Sequence, residues 1–142
     1  MNTHLRIIPA LAVGLALWSH SALANAEVIL NVIGANLVAK GAGVDVSVQI
    51  TCNNPDPQDT NTAIFGGVLT QRTGNITTSA NLGFSQPVIC NGTPQDLDIL
   101  AVVTSPQRVF KQGPAVINIS ADVMGSFYMD FGSVRKQIQI LH

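Results

Sequence analysis

Histidine is the side chain that most often moves protons near neutral pH, so its placement is the first guide to chemistry. The chain has three histidines: His4 and His20 lie in an apolar leader, and His142 is the last residue. Nucleophilic sites of the Ser–His–Asp and Cys–His kinds therefore lack an internal base, and zinc or copper sites lack their main ligand. We expect a protein that is not an enzyme and has no catalytic residue.

The best candidate for a catalytic carboxylate pair is Asp96 with Asp98. Two residues apart on one strand, they share a face and lie roughly 7 Å apart. Inverting glycosidases space their carboxylates by about 6.5–9.5 Å, but they also need a concave cleft flanked by aromatic side chains. Only six aromatic residues follow the leader. The pattern favours two solvated charges on an outer face.

The candidate metal site is the polar loop at residues 53–61. Asp56 and Asp59, with Asn53, Asn54 and Asn61 nearby, supply the carboxylate and amide oxygens that calcium prefers. The spacing matches no familiar calcium loop, and Asp and Asn are common in loops for turn formation alone. We assign no metal and no cofactor, and calcium binding by Asp56 and Asp59 stays an open alternative.

Residues 1–24 have the pattern of a cleaved secretory signal peptide. Arg6 precedes an apolar run from Ile7 to Trp18, and residues 22–24 form an Ala-x-Ala cleavage motif, with 24–26 as a second choice. The run is short against the roughly 20 residues that span a bilayer. We expect a secreted, extracellular or periplasmic product with no membrane span after cleavage.

Removing those 24 residues leaves 118 of the 142, enough for one domain at residues 25–142. This part keeps six Lys and Arg against eight Asp and Glu, a formal charge of −2. Its cations are scattered along the sequence, whereas phosphate binding needs a clustered basic surface. The sequence predicts no nucleic-acid partner.

Cys52 and Cys90 are the only cysteines. In an exported chain they most simply form a disulfide, and closing the 38-position loop between them would stabilise the fold by about 4 kcal/mol. The alternatives are two buried thiols or a redox pair. Redox pairs usually stand two residues apart beside a helix, so we favour the structural disulfide.

Period-2 alternation predicts strands, most clearly at Val44–Cys52, where even-numbered residues are apolar and odd-numbered ones polar. Residues 76–85 read as a weak strand at best, followed by a short strand at Gln86–Cys90 and a tight Asn91-Gly92 turn. The other predicted strands are Val28–Ile33, Ala63–Gln71, Asp96–Val103, Ala115–Val123 and Val134–Leu141.

Seven or eight strands separated by turns, with no helical periodicity, predict an all-β fold. The expected architecture is an antiparallel immunoglobulin-like β-sandwich with one intradomain disulfide. A closed barrel is the alternative. The only tryptophan, Trp18, leaves with the signal peptide, so an antibody-type core is not expected.

Four short motifs occur in a characteristic order: the strand ending at Cys52, residues 69–72 before a Gly turn, residues 90–95, and residues 110–115. In this order the chain resembles a group of small secreted bacterial proteins, common in actinobacteria and uncharacterised in function. The resemblance implies a single immunoglobulin-like domain with one such disulfide. It concerns turns and a cysteine pair, and so implies a fold rather than an activity.

The segment from Gly125 to Gly132 is the main candidate for contact with a partner. It contains Phe127, Tyr128, Met129 and Phe131, three of the six aromatics that follow the leader. Exposed aromatics at the end of a sandwich make good interface residues. Alternation instead favours Phe127, Met129 and Phe131 pointing inward to plug that end, with only Tyr128 outside.

A second candidate is Leu100 with Val102, which face away from the core side of their predicted strand. Together with the two-faced strand Ala63–Gln71 they would form an outer apolar patch, a common mark of a partner surface. A covering loop, with residues 76–85 as the candidate, explains them equally well.

These observations favour an exported, non-enzymatic binding module that contacts a protein, another macromolecule or a cell-envelope component. The first alternative is a structural subunit of a surface fibre or array, although residues 25–30 are short for a donated strand. The second is a small hydrolase or inhibitor, for which the sequence contains no positive signal. The oligomeric state is left open.

Overall fold

The structure is a computed structural model that describes residues 27–54, 56, 59–105 and 108–142. The predicted signal peptide, residues 1–24, lies outside this part of the chain. The described residues form seven β-strands and one 3-10 turn at Ala39–Gly41. The strands are β1 (Ile29–Val38), β2 (Gly43–Thr51), β3 (Asn61–Thr73), β4 (Ile76–Val88), β5 (Gln95–Val103), β6 (Gly113–Met124) and β7 (Met129–Ile140).

All seven strands belong to one sheet, in the order β1-β2-β5-β4-β3-β6-β7, and every ladder in it is antiparallel. The two outer strands meet, so that the sheet nearly closes into a barrel. Leu37 N–H donates to Leu141 O, and Leu141 N–H donates to Ala35 O, both at 2.9 Å. Lys136 Nζ of β7 also donates to Val32 O of β1 at 3.0 Å. These contacts cover two strand edges that would otherwise expose backbone groups.

The pairing is uneven around the sheet. β3 and β4 pair over their whole length, from Asn61 opposite Val88 to Thr73 opposite Ile76. β4 and β5 pair only at Ala80 opposite Val103 and Asn81 opposite Val102. The β4–β5 ladder is therefore the shortest in the sheet.

Alternating apolar residues form the core, as the sequence predicts. On β2 the even-numbered residues Val44, Val46, Val48 and Ile50 are all 0% exposed. Burying each such side chain contributes about 1.5–3 kcal/mol, which makes β2 a major source of stability. On the outer face of β2, Ser47 Oγ donates to Asp98 Oδ1 at 2.7 Å and Gln49 Nε2 donates to Asp96 Oδ1 at 2.9 Å.

The predicted disulfide is confirmed: Cys52 and Cys90 are bonded, with their Cα atoms 4.6 Å apart. It joins the end of β2 to the residues after β4. Two backbone bonds flank it, from Asn54 N–H to Cys90 O and from Gly92 N–H to Cys52 O, both at 2.9 Å. The bridge is typical of proteins from oxidising, non-cytoplasmic compartments.

One strand prediction is wrong. Residues 76–85 and Gln86–Cys90 do not form a weak strand and a separate short one, because Ile76–Val88 is the single 13-residue strand β4. Its Thr, Ser, Asn and Gly residues give little propensity, but the full ladder with β3 satisfies the backbone of both strands. β4 is also no covering loop over Leu100 and Val102. Among the described residues, no helix has the length and apolar character to cross a membrane.

Candidate functional site

The β6–β7 hairpin carries the predicted contact residues. β6 ends at Met124 opposite Met129, and the four residues 125–128 connect the two strands. Gly125 N–H donates to Tyr128 O at 3.0 Å and closes the turn. A Cβ atom on residue 125 would overlap Asp59 Oδ2 and the Tyr128 ring, so any larger residue would displace these two side chains.

Asp59, from the loop before β3, holds the tip of this hairpin. Its Oδ2 accepts from Ser126 N–H at 2.7 Å, and its Oδ1 accepts from Ser126 Oγ at 2.6 Å. The side-chain and then the backbone hydrogen bonds from Ser126 lower the pKa of Asp59 below its ordinary 3.8, against a smaller opposing effect of burial. The ionised carboxylate is therefore the form that fits the hairpin.

A second set of hydrogen bonds fixes Tyr128. Its hydroxyl donates to Asn61 Oδ1 at 2.8 Å, and Asn54 Nδ2 donates to the same oxygen at 2.8 Å. Burial, followed by the charges of Asp59 and Asp130, raises the pKa of Tyr128 above 10.0. Tyr128 packs against the core and acts as the inner support of the hairpin.

The expected inward placement of Phe127, Met129 and Phe131 is wrong. Phe127 is 97% exposed, Met129 71% and Phe131 58%, whereas Tyr128 is half-buried. The four-residue turn starts β7 in the phase that places Tyr128 and Gly132 inward, and the Tyr128 hydroxyl finds a buried partner there. The other interpretation of this segment, in which its aromatic side chains are exposed, agrees with the structure.

Five exposed residues form what we call the apolar patch. Met124 of β6 is directly opposite Met129 of β7, and Asp122 of β6 lies between Phe131 of β7 and Ile64 of β3. The four strand residues are on the outer face of the sheet, and Phe127 of the turn lies at one end of them. The patch consists of Ile64, Met124, Phe127, Met129 and Phe131.

The structure does not bring Leu100 and Val102 into this patch. They are 57% and 54% exposed, on the outer face of β5. Val102 is paired with Asn81, which is paired with Val68 of β3, so a polar residue separates the two apolar strands. Asn81 thus interrupts the predicted joint patch with Ala63–Gln71, just as Asp122 stands between Phe131 and Ile64 in the apolar patch.

The carboxylates considered for catalysis and calcium binding have protein partners. Asp96 and Asp98 each accept a bond from a β2 side chain, and Asp59 Oδ2 also accepts from Asn54 Nδ2 at 3.2 Å. Within the residues described, no three His, Cys, Asp or Glu side chains are grouped so as to hold a metal ion.

Sequence reasoning missed Met124 and did not single out Ile64 within the two-faced strand Ala63–Gln71. A signal for Ile64 was present, because Ala63 and Phe65 flank it with apolar residues that point inward and leave it outside. Met124 directly follows the last predicted residue of its strand, where the alternation continues outward by one residue. The Asp59–Ser126 and Tyr128–Asn61 contacts join residues 67 positions apart and have no sequence signal.

No protein-family model matches the chain, and no curated protein matches it either. The resemblance to small secreted actinobacterial proteins stays a prediction.

Proposed function

We propose that the protein is an exported, non-enzymatic binding module whose apolar patch contacts a macromolecule or a cell-envelope component. The observation that carries this proposal is Phe127, a large aromatic side chain that is 97% exposed at the tip of a well-fixed hairpin. Burying such a side chain against a partner contributes about 1.5–3 kcal/mol. Exposed as it is, it contributes almost nothing to the fold.

The support beneath Phe127 favours binding because it removes much of the entropy cost of ordering a loop. Of its two neighbours in the chain, Ser126 is held by Asp59 in the loop before β3, and Tyr128 by Asn61, the first residue of β3. A preorganised aromatic loses few torsions when it enters a partner's pocket. Met129 and Phe131 extend the surface, and methionine adapts to irregular shapes.

Export is the second part of the proposal. Two features support it independently: the signal-peptide pattern at residues 1–24 and the Cys52–Cys90 bridge. A signal peptide directs a chain for export, and a disulfide is typical of an oxidising compartment. A binding surface in that compartment meets envelope components and other exported proteins.

We further propose that the fold is immunoglobulin-like. Lettering β1 to β7 as A to G turns the observed order into A-B-E-D followed by C-F-G, the strand neighbours of a constant-type domain. Two differences are plain: the longest ladder joins the C and D positions, and the disulfide lies at strand ends rather than between B and F. The strand order alone supports this proposal.

The test replaces Phe127, Met129 and Phe131 by serine and measures retention of the purified protein on the native cell-envelope and exported fractions. Tyr128 is left intact because it supports the hairpin. The matched control replaces Leu100 and Val102, which are similarly exposed, and unchanged thermal unfolding midpoints show that each variant is folded. We expect the patch variant to lose at least about 30-fold in retention, as for a hot spot of 2 kcal/mol, and the control to bind normally. Equal retention of wild type and folded patch variant would refute the proposal.

A further inference from the structure

Charge is divided between the two ends of the molecule. Because the ladders are antiparallel, odd-numbered strands begin, and even-numbered strands end, at the end that carries the hairpin. Seven of the eight acidic residues lie in that half: Glu27, Asp56, Asp59, Asp96, Asp98, Asp122 and Asp130. We call this half the acidic end. The whole apolar patch lies in this half.

Four of the six Lys and Arg among the described residues lie well within the opposite half, the basic end. They are Lys40, Arg72, Arg108 and Lys111, whereas Arg135 and Lys136 lie near the middle of β7, and Lys136 Nζ donates to Asn31 Oδ1 and Val32 O of β1. Only Asp45, in the first half of β2, accompanies them. Charged residues that are scattered in the sequence are thus grouped by sign in the fold. The reason is that alternate connections between antiparallel strands lie at the same end of the molecule.

The basic end contains a cleft of about 330 Å³, near the lower limit of about 300 Å³ for ligand pockets. It is lined by Thr73, Asn75, Ile76, Thr78, Arg108, Val109 and Lys111. Ile76 and Val109 are 58% and 47% exposed, which gives the cleft an apolar floor that is not used by the core. Arg108 donates to Thr77 O at its rim. No acidic residue lines it.

The two ends are complementary in both respects that matter for association. One presents an aromatic tip among carboxylates, and the other an apolar cleft among cations. Opposite potentials steer encounter and favour this pairing, whereas two acidic ends facing each other would repel. The same repulsion disfavours docking of the tip onto an anionic lipid surface.

We propose that the partner of the apolar patch is a second copy of this chain, with Phe127 of one copy seated in the Ile76–Val109 cleft of the next. This rests on the proposed function of the patch and names its partner. The contact is head-to-tail, so each copy keeps one free tip and one free cleft, and association continues into an open chain unless its rotation closes a ring. β3 runs the distance between the ends, so the repeat is about 40 Å.

The experiment is sedimentation of the protein lacking residues 1–24 from about 1 μM to about 1 mM, in low and high salt. We expect growing oligomers at low salt and weaker association at high salt, because the opposed end charges are solvent-exposed. A monomer over the whole range would overturn the inference. Envelope retention measured on the same preparation then decides the proposed function separately.

Two variants give the sharpest result. The tip variant is Phe127→Ser, which keeps the cleft, and the cleft variant is Ile76→Ser with Lys111→Glu, which keeps the tip. Each alone is expected to raise the dissociation constant at least about 30-fold. An equimolar mixture should form a dimer and nothing larger, because only one intact tip and one intact cleft remain per pair.

Leu100→Ser is the matched control for the loss of an exposed apolar side chain, and Arg135→Glu for the reversal of a charge outside the cleft. Both should assemble like the wild type. A cleft variant that still self-associates by itself would show contact between two tips and would overturn the head-to-tail arrangement. Failure of the mixture to form a dimer, with both variants folded, would overturn it as well.

Discussion

Asp59 is the residue on which the geometry of the hairpin most depends. Its two oxygens accept the hydroxyl and the backbone N–H of Ser126, and these bonds lower the pKa of Asp59 from its ordinary 3.8. Lowering the pKa means that folding favours the ionised form. The hairpin is therefore held most firmly where Asp59 is charged, and it loosens in acid.

We expect Asp59→Asn to be less stable than the wild type at neutral pH and equally stable in strong acid. The stabilisation by ionised Asp59 is complete above its unfolded pKa of 3.8 and is lost as the pH falls through the lower pKa of the folded state. Thermal unfolding of both proteins between about pH 2 and pH 7 measures the difference, which isolates Asp59 from the other carboxylates.

Ser126→Ala supplies the control for this prediction. In the wild-type background it should reduce stability at neutral pH, and in the Asp59→Asn background it should add little, because the two residues act together. A difference between wild type and Asp59→Asn that is independent of pH would contradict the account.

At the scale of the strand, β3 depends on one of two adjacent glycines. A Cβ on residue 67 would lie 2.3 Å from Asn118 O of β6, whereas a Cβ on residue 66 would have no atom within 4 Å. Of the two positions, the close approach to β6 is therefore at Gly67 alone. This contact joins β3 to β6, the strands that carry Ile64 and Met124.

We expect Gly67→Ala to destabilise the protein by about 1–3 kcal/mol, the range for backbone clashes in a packed sheet. Gly66→Ala is the control and should be neutral or slightly stabilising, by up to about 1 kcal/mol, because it reduces the freedom of the unfolded chain. Urea unfolding with a common m-value measures both. Equal loss in the two variants would contradict the predicted contact.

Strands with regular alternation were predictable from the sequence. Elements whose conformation depends on contacts with other parts of the chain were not. β2 and β6 show their buried faces directly in Val44, Val46, Ile117 and Ile119. β4 was missed because its ladder with β3, rather than its own composition, makes it a strand. The hairpin residues were identified, but their faces were reversed, because the four-residue turn and the Tyr128–Asn61 bond set the phase of β7.

At the scale of the whole molecule, the polarity of charge emerges only from the topology. A sequence whose cations look scattered folds into one acidic and one basic end, since each hairpin brings the chain back to the end it left. The expectation of no nucleic-acid partner rested on scattered cations, and it remains a prediction. The polarised distribution instead suits partners of complementary charge, and a second copy meets that requirement at both ends.

The most direct test of the apolar patch as a contact surface uses methionine oxidation. Met124 and Met129 both lie in the patch, and the third methionine is Met1 of the predicted signal peptide. Dilute peroxide would be applied to the free, dilute protein and to protein retained on its native envelope or exported partners, with oxidation followed by mass spectrometry. Met129, 71% exposed when free, should oxidise at least several-fold more slowly in the retained protein. Retained protein in which Met129 oxidises as fast as in the free protein would contradict the account.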